Sequence, residues 1–169
     1  CHSLGRIVPD RTKGTLARMR HDKEVAVLVS DLLATKSQEV ATISQERTVN
    51  DALLLLKERG IGALIVTGPT PPLVGIFSER DAVRALATSG AKALDMKVSQ
   101  LMTSDVQTCD VETTVTKLMG MMTERRIRHL PVVHDGQLVG MISIGDVVKA
   151  RFDELEHEKK DLLDYVSSW

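Results

Sequence analysis

An internal repeat constrains the fold of this chain more than any other feature. Residues 73–81 read L-V-G-I-F-S-E-R-D, and residues 138–146 read L-V-G-M-I-S-I-G-D. The two segments lie 65 positions apart (81 to 146), and I-G-A-L at 61–64 returns as I-R-H-L at 127–130. Two copies of a unit this long are too few for a solenoid. We therefore predict one pseudo-symmetric domain with two related clefts between its repeats, where small ligands usually bind.

Bulk composition excludes several classes of function. The 169 residues are enough for one domain with a substantial core. A net charge of −1 and an aromatic content of 2% disfavour nucleic-acid binding, and no apolar run approaches the roughly 20 residues needed to cross a membrane. The only cysteines, Cys1 and Cys109, form neither a disulfide framework nor a zinc cluster. A reducing compartment is therefore expected.

Residues 1–28 form a basic N-terminal extension. From Cys1 to Arg20 there are five basic residues and one acid, Asp10. This composition is typical of an organellar transit peptide, which is rich in arginine and poor in acids. A flexible basic tail or a remnant of cloning is the alternative.

Both repeats show the order strand, helix, strand, strand, helix. In the first we predict strands at 40–43, 61–67 and 73–77, a helix from the Thr48 capping box to Gly60, and a helix at 79–87. In the second we predict a strand starting at Thr108, helices at 114–125 and from 144, strands at 129–134 and 138–143, and a tight turn at 135–136. The result is an α/β (α+β) fold with repeats at 29–88 and 98–151, a linker at 89–97 and a C-terminal helix at 152–169.

The C-terminal helix has an apolar seam of its own. Spacings of four and three residues alternate along Val148, Phe152, Leu155, Lys159, Leu162, Val166 and Trp169. Such a seam drifts little on a slightly supercoiled helix. The helix either lies on its own domain or docks on a second chain.

These repeats resemble the cystathionine-β-synthase (CBS) motif, and the pair resembles a Bateman module. The resemblance rests on L-V-G-I-F-S-E-R-D, R-I-R-H-L-P-V-V and L-V-G-M-I-S-I-G-D, together with the preceding S-D-L-L and S-Q-L-M-T segments. It covers residues 29–151 and is strongest for stand-alone pairs from bacteria and from plant mitochondria and plastids.

The resemblance implies a regulatory, non-enzymatic protein. Family members bind adenosyl ligands (AMP, ADP, ATP, sometimes NAD(H) or S-adenosylmethionine), need no obligatory cofactor, and often form disc-shaped homodimers. It also implies energy sensing and a protein partner, such as an enzyme, a redox regulator like thioredoxin, or a larger complex. The mitochondrial matrix is the expected compartment, with the cytoplasm or plastid as alternatives.

The S-x-x-D motifs are the strongest candidates for ligand contacts. Ser78 with Asp81, and Ser143 with Asp146, open predicted helices immediately after strands. A helix N-terminus has unpaired N–H groups that suit phosphate, and an aspartate can accept hydrogen bonds from both ribose hydroxyls. The alternative is a capping box that only satisfies backbone donors.

Cationic candidates come mainly from the second repeat. Arg128 and His129 are predicted phosphate ligands by resemblance, as is Arg80 within the first motif, whereas Arg125 and Arg126 fit a solvated helix end. The first repeat has Gly62 and Ala63 where the second has Arg128 and His129. We therefore expect two unequal clefts.

The adenine contacts are carried over from the family. Backbone groups at Thr42 and Thr108 would read the adenine edge, and Ile61 and Ile127 would pack on the purine, although each could equally be core. The five histidines show no metal-ligand spacing, and Cys109 fits a buried apolar position. A nucleotide sensor is the favoured hypothesis, and an adaptor with degenerate clefts is the main rival. An enzyme would need a base, nucleophile or metal that the sequence does not offer.

Overall fold

The computed structural model describes residues 26–36, 40–70 and 73–167. Predictions for residues 1–25 and for Trp169 lie outside the described residues. The elements are α1 (Val29–Ala34), β1 (Thr42–Ser44), α2 (Val49–Arg59), β2 (Ala63–Thr67), β3 (Gly75–Ser78), α3 (Glu79–Ser89), a 3-10 helix (Gly90–Asp95), α4 (Val98–Leu101), α5 (Val115–Arg125), β4 (His129–His134), β5 (Gln137–Ser143) and α6 (Ile144–Ser167). This order confirms the predicted α/β (α+β) class.

The first repeat forms a three-stranded sheet in the order β1-β2-β3. Strand β2 pairs in parallel with β1 and antiparallel with β3. The predicted capping box opens α2, because the Thr48 hydroxyl accepts from the Asp51 N–H and the Asp51 carboxylate accepts from the Thr48 N–H. Gly60 ends the helix at φ 63°, a conformation that glycine adopts without steric cost.

The second repeat keeps the hairpin of the first but shortens its first strand. Where a strand starting at Thr108 was predicted, the structure has a single parallel bridge from Cys109 to Val132. In the first repeat the Ile65 N–H donates to the carbonyl of the residue before β1. The second repeat has Pro131 in the place of Ile65, and proline has no N–H to donate. The β1-like pairing therefore cannot extend.

The short leading helices α1 and α4 are exchanged between the repeats. Helix α1 precedes the first repeat, yet Val29 and Leu32 belong to the core of the second. Helix α4 precedes the second repeat, yet Val98 belongs to the core of the first. Backbone hydrogen bonds hold both positions, from the Val29 N–H to the Thr113 carbonyl and from the Val98 N–H to the Arg47 carbonyl. Each core therefore needs a segment that lies beyond its own sequence repeat.

The glycine of each L-V-G segment lies at the contact between a leading helix segment and the last strand of a repeat. A Cβ atom on Gly140 would lie 2.5 Å from Cδ2 of Leu33, and one on Gly75 would lie 2.6 Å from Sδ of Met102. Both distances are far below van der Waals contact. Close packing therefore explains why both repeats carry glycine at this position.

Helix α6 starts at the second S-x-x-D motif and continues without a break to Ser167, as predicted. Its first half packs against α5 and α1 and buries Val147. From Glu156 to Ser167 every residue is exposed. The second half is therefore not buried against the described residues of the domain.

Candidate ligand-binding clefts

A cleft of about 450 Å³ lies between the two repeats, and its charge is predominantly positive. Its lining includes five arginines (Arg80, Arg84, Arg125, Arg126, Arg128) and three carboxylates (Glu79, Asp81, Asp105). We term it the arginine cleft. A concave site with an excess of guanidinium groups attracts anions, and guanidinium geometry matches phosphate and carboxylate oxygens.

The first S-x-x-D motif forms one wall of the arginine cleft. Ser78 is the N-cap of α3, and Oδ2 of Asp81 accepts from the Ser78 N–H at 2.9 Å and from the Ser78 hydroxyl at 2.6 Å. The capping arrangement considered as an alternative is therefore present. It remains compatible with ligand contact, because both bonds use one oxygen of a carboxylate that has two.

Arg126 is held in a conformation that is unusual for its residue type. It ends α5 at φ 55° and ψ 35°, which is the left-handed region that Gly60 occupies at the end of α2. The Arg80 guanidinium donates to the Arg126 carbonyl at 3.1 Å. A non-glycine residue at this φ is strained, and such strain often accompanies functional sites.

His129 lies at the start of β4, where the two repeats touch. A Cβ atom on Gly62 would come within 3.3 Å of its Cε1 atom. Burial lowers the pKa of His129 and the positive charge of Lys36 lowers it further, while Asp146 and Glu79 act in the opposite direction. The imidazole is therefore neutral near pH 7. It supplies hydrogen-bonding groups to the arginine cleft, and the guanidinium groups supply the positive charge.

A second cleft, of about 380 Å³, corresponds to the other side of the pseudo-symmetric domain. We term it the apolar cleft, because Leu33, Ala41, Ile61 and Met141 line it and Lys36 is the one charged residue among the described residues of its lining. Ile61 occupies here the position that Ile127 occupies in the arginine cleft. The expectation of two unequal clefts therefore matches the geometry.

Lys36 forms an ion pair with Asp146, the carboxylate of the second S-x-x-D motif. Its Nζ atom lies 2.7 Å from Oδ2 of Asp146 and donates to the Met141 carbonyl at 3.3 Å. Burial by itself raises the pKa of Asp146, but the hydrogen bonds from Lys36 and Ser143 outweigh it and the net shift is downward. Asp146 is thus ionised and already paired with a cation from the same chain.

The predicted site residues separate into groups. The arginine cleft brings together Ser78, Arg80, Asp81, Ile127, Arg128 and His129. Asp146 lines a third cavity between α1 and α6 and hydrogen-bonds Ser143. Thr42 and Thr108 line none of these three cavities, although the residues immediately before them, Ala41 and Gln107, do.

The cleft residues that sequence reasoning missed include Arg84, Lys36 and Asp105. Arg84 follows Arg80 by one helical turn, so the helical period could have placed both on one face. Lys36 and Asp105 occupy corresponding positions after S-D-L-L and S-Q-L-M. Their opposite charges were visible, but the Lys36–Asp146 contact spans 110 positions and depends on the exchange of the leading helices.

Within the described ranges, no helix has the length and apolarity to cross a bilayer. The same residues contain no group of three or more histidine, cysteine, aspartate or glutamate side chains placed to hold a metal ion.

The repeated motifs, the exchanged leading helices and the paired clefts define a tandem module of two related repeats. The family model of the CBS domain matches residues 29–88 and 98–153. The chain therefore belongs to the CBS domain family, as its motifs indicated.

Similar proteins include stand-alone CBS proteins. The mitochondrial CBS domain-containing protein CBSX3 of Arabidopsis thaliana is 34% identical over 89% of this chain and 77% of its own length. A CBS-domain protein of Agrobacterium tumefaciens has a solved structure that is 43% identical, with a TM-score of 0.73 over 76% of this chain and 96% of that chain. A CBS domain pair in complex with 5′-methylthioadenosine and S-adenosylmethionine is 24% identical, with a TM-score of 0.67 over 76% and 98% of the two chains, and shares the fold.

Proposed function

We propose that this protein is a non-enzymatic regulatory module that binds an adenosyl ligand in the arginine cleft and relays the bound state to a partner protein. One observation carries the proposal: the N-terminus of α3 with its Ser78–Asp81 pair shares one cleft with five arginines, three of which come from the second repeat. The combination offers an acceptor for ribose hydroxyls and donors for phosphate in one concave site.

The ligand would bridge the two repeats. Asp81 from α3 would accept from the ribose hydroxyls, Ile127 from the second repeat would pack on the purine, and Arg128 with the other cleft arginines would bind phosphate. Ser78 and Arg80 complete the ribose and phosphate contacts, with His129 as a neutral hydrogen-bonding group. Because the contacts come from both repeats, a bound ligand would bias their relative orientation.

The charge of the arginine cleft favours a phosphate-bearing ligand. S-adenosylmethionine carries a sulfonium cation, which gains little from a site with five arginines. AMP, ADP and ATP carry the anionic groups that arginine pairs with, and NAD(H) carries a pyrophosphate. The inference is therefore an adenine-nucleotide ligand and an energy-sensing role. The solved CBS pair that holds adenosyl compounds supports the adenosyl class.

The second S-x-x-D motif, beside the apolar cleft, would be the weaker site. The hydrogen bonds from Lys36 and Ser143 all go to Oδ2 of Asp146, so a ribose could contact only Oδ1 unless it displaced Lys36. Displacement would leave both groups of a hydrogen-bonded ion pair without a partner. The adenine contacts of Thr42, Thr108 and Ile61 remain predictions.

Thermal unfolding with AMP, ADP, ATP, NAD, NADH and S-adenosylmethionine tests the proposal. A ligand at 100 times its dissociation constant stabilises by roughly 2.7 kcal/mol, which shifts the midpoint by about 5–10 °C for a chain of this size. Asp81→Ala and Asp146→Ala are matched variants, because each removes the same capping carboxylate. We expect Asp81→Ala to lose the ligand-induced shift and Asp146→Ala to retain it.

Two results would overturn this assignment. Loss of the shift in Asp146→Ala alone would move the site from the arginine cleft to the second S-x-x-D motif. No shift with any nucleotide, in protein that unfolds cooperatively, would favour the second candidate, an adaptor subunit of a larger assembly. That candidate is supported by the Lys36–Asp146 pair and by the exposed half of α6.

The remaining assignments are carried over from the family resemblance. A homodimer formed through the CBS modules, a partner that is an enzyme or a redox regulator such as thioredoxin, and a location in the mitochondrial matrix are part of the proposal. The name of the Arabidopsis relative supports the location. Burial, together with the negative charge of Asp110, raises the pKa of the Cys109 thiol to about 11. Because the thiolate is the reactive form, we do not expect Cys109 to form a disulfide with a redox regulator.

A further inference from the structure

The exposed face of α6 carries a continuous apolar stripe. Val148, Phe152, Leu155, Leu162 and Val166 are 48–70% exposed. Together with Lys159, which lies between Leu155 and Leu162, they follow alternating spacings of four and three residues. We term these six residues the α6 stripe. Val147, which is buried against the rest of the domain, lies on a different side of the helix. Within the described ranges, the domain therefore leaves this stripe exposed.

The second half of α6 is not buried against the described residues of its own domain. All twelve residues from Glu156 to Ser167 are exposed, although they are helical. An isolated helix of this length is marginal in water, and most helical stability in proteins comes from packing of an apolar face. A partner that covers the α6 stripe would supply the missing packing.

The stripe is self-complementary about His157, and its single lysine sets the direction in which two copies can pair. Two parallel copies in register would place Lys159 against Lys159 of the partner subunit, which brings like charges together. Two antiparallel copies centred on His157 place Lys159 opposite Leu155 of the partner subunit, close to Glu158 of the partner subunit. The same register places Phe152 opposite Leu162 of the partner subunit. All six stripe positions then have a partner, and the lysine has a carboxylate within reach.

The length of the helix agrees with the antiparallel arrangement. The 24 residues of α6 span roughly 36 Å. Antiparallel pairing places the two globular modules at opposite ends of this rod, whereas parallel pairing would force them side by side.

We propose that the α6 stripe is an antiparallel coiled-coil interface between two copies of this chain, centred near His157. The interface is separate from any contact between the CBS modules themselves and does not depend on nucleotide binding. It gives each module a second route to self-association, along the helix that begins at the Ser143–Asp146 motif.

Cysteine cross-linking between differently tagged chains tests both the pairing and its direction. In a Cys1→Ser background, Leu155→Cys and Lys159→Cys are each oxidised alone and then as a mixture. We expect a disulfide-linked heterodimer in the mixture and little product from either variant alone. Asp164→Cys mixed with Lys159→Cys is the control, because Asp164 lies on the face of α6 opposite the stripe. It should not cross-link.

Cross-linking of each single variant with itself would overturn the antiparallel direction. Absence of any cross-link above the control would overturn the pairing and indicate that another protein covers the stripe. Sedimentation velocity gives an independent measure of self-association, which Leu155→Glu should weaken at least about tenfold. The control is Leu54→Glu, at a similarly exposed site off the stripe. It should weaken self-association less than Leu155→Glu does. Folding of both variants is checked by circular dichroism.

Discussion

At the scale of single residues, Arg126 shows how the two repeats diverge from a common plan. Gly60 and Arg126 end equivalent helices with nearly the same left-handed geometry, but only the arginine lines the arginine cleft. A left-handed conformation costs a non-glycine residue roughly 1–2 kcal/mol. The second repeat therefore keeps a charge in the cleft at the expense of stability.

Replacing this arginine should separate stability from binding. We predict that Arg126→Gly raises the free energy of unfolding by about 0.5–1 kcal/mol, because the relief of strain exceeds the added entropy of the unfolded chain. The same variant should show a smaller nucleotide-induced thermal shift. Chemical denaturation and thermal shift assays measure the two effects.

Arg125→Gly provides the matched control, since Arg125 lies within α5. There glycine should lower stability by about 1 kcal/mol. A loss of stability in Arg126→Gly would show that the left-handed residue is not strained, and an unchanged nucleotide shift would remove Arg126 from the site.

At the scale of secondary-structure elements, the glycines of the L-V-G segments set how closely the leading helix segments approach the sheets. We predict that Gly75→Ala costs about 1–3 kcal/mol, as overpacking usually does, because the added methyl group would meet Met102 and lie 3.0 Å from the Thr103 carbonyl. Gly120→Ala in α5 should instead stabilise by about 0.5–1 kcal/mol, since a Cβ atom there meets nothing within 4 Å. Urea denaturation of the two variants tests the opposite signs, and equal effects would contradict the packing argument.

The elements also show what sequence could and could not predict. Helices α2 and α5 follow from a capping threonine and an apolar period, and strand β4 was predicted at its observed bounds. These signals are local. The shortened strand at Cys109 was missed because its cause is a hydrogen bond that Pro131 cannot donate to a segment distant in sequence. The same limit applies to the site: the S-x-x-D motifs were visible, but the pairing of Lys36 with Asp146 depends on tertiary structure.

At the scale of the whole molecule, the exchange of α1 and α4 makes the two repeats one cooperative unit. Val29 completes the core of the second repeat and Val98 that of the first, and both are fully buried. Neither sequence repeat can bury its core alone, so a ligand-induced change in one repeat acts on a segment that also belongs to the other. This shared packing is a physical route by which a ligand between the repeats could influence the whole module.

We therefore predict that damage to either core destabilises the entire domain. Val29→Ala and Val98→Ala should each lower the free energy of unfolding by roughly 2–3 kcal/mol, from lost apolar burial and the cavity left behind. Each variant should still unfold in one transition, with the calorimetric and van't Hoff enthalpies in agreement. Two resolved transitions, with only one of them shifted by a given variant, would show that the repeats are independent despite the exchange. A single shifted transition in both variants is what the exchange of α1 and α4 between the two cores requires.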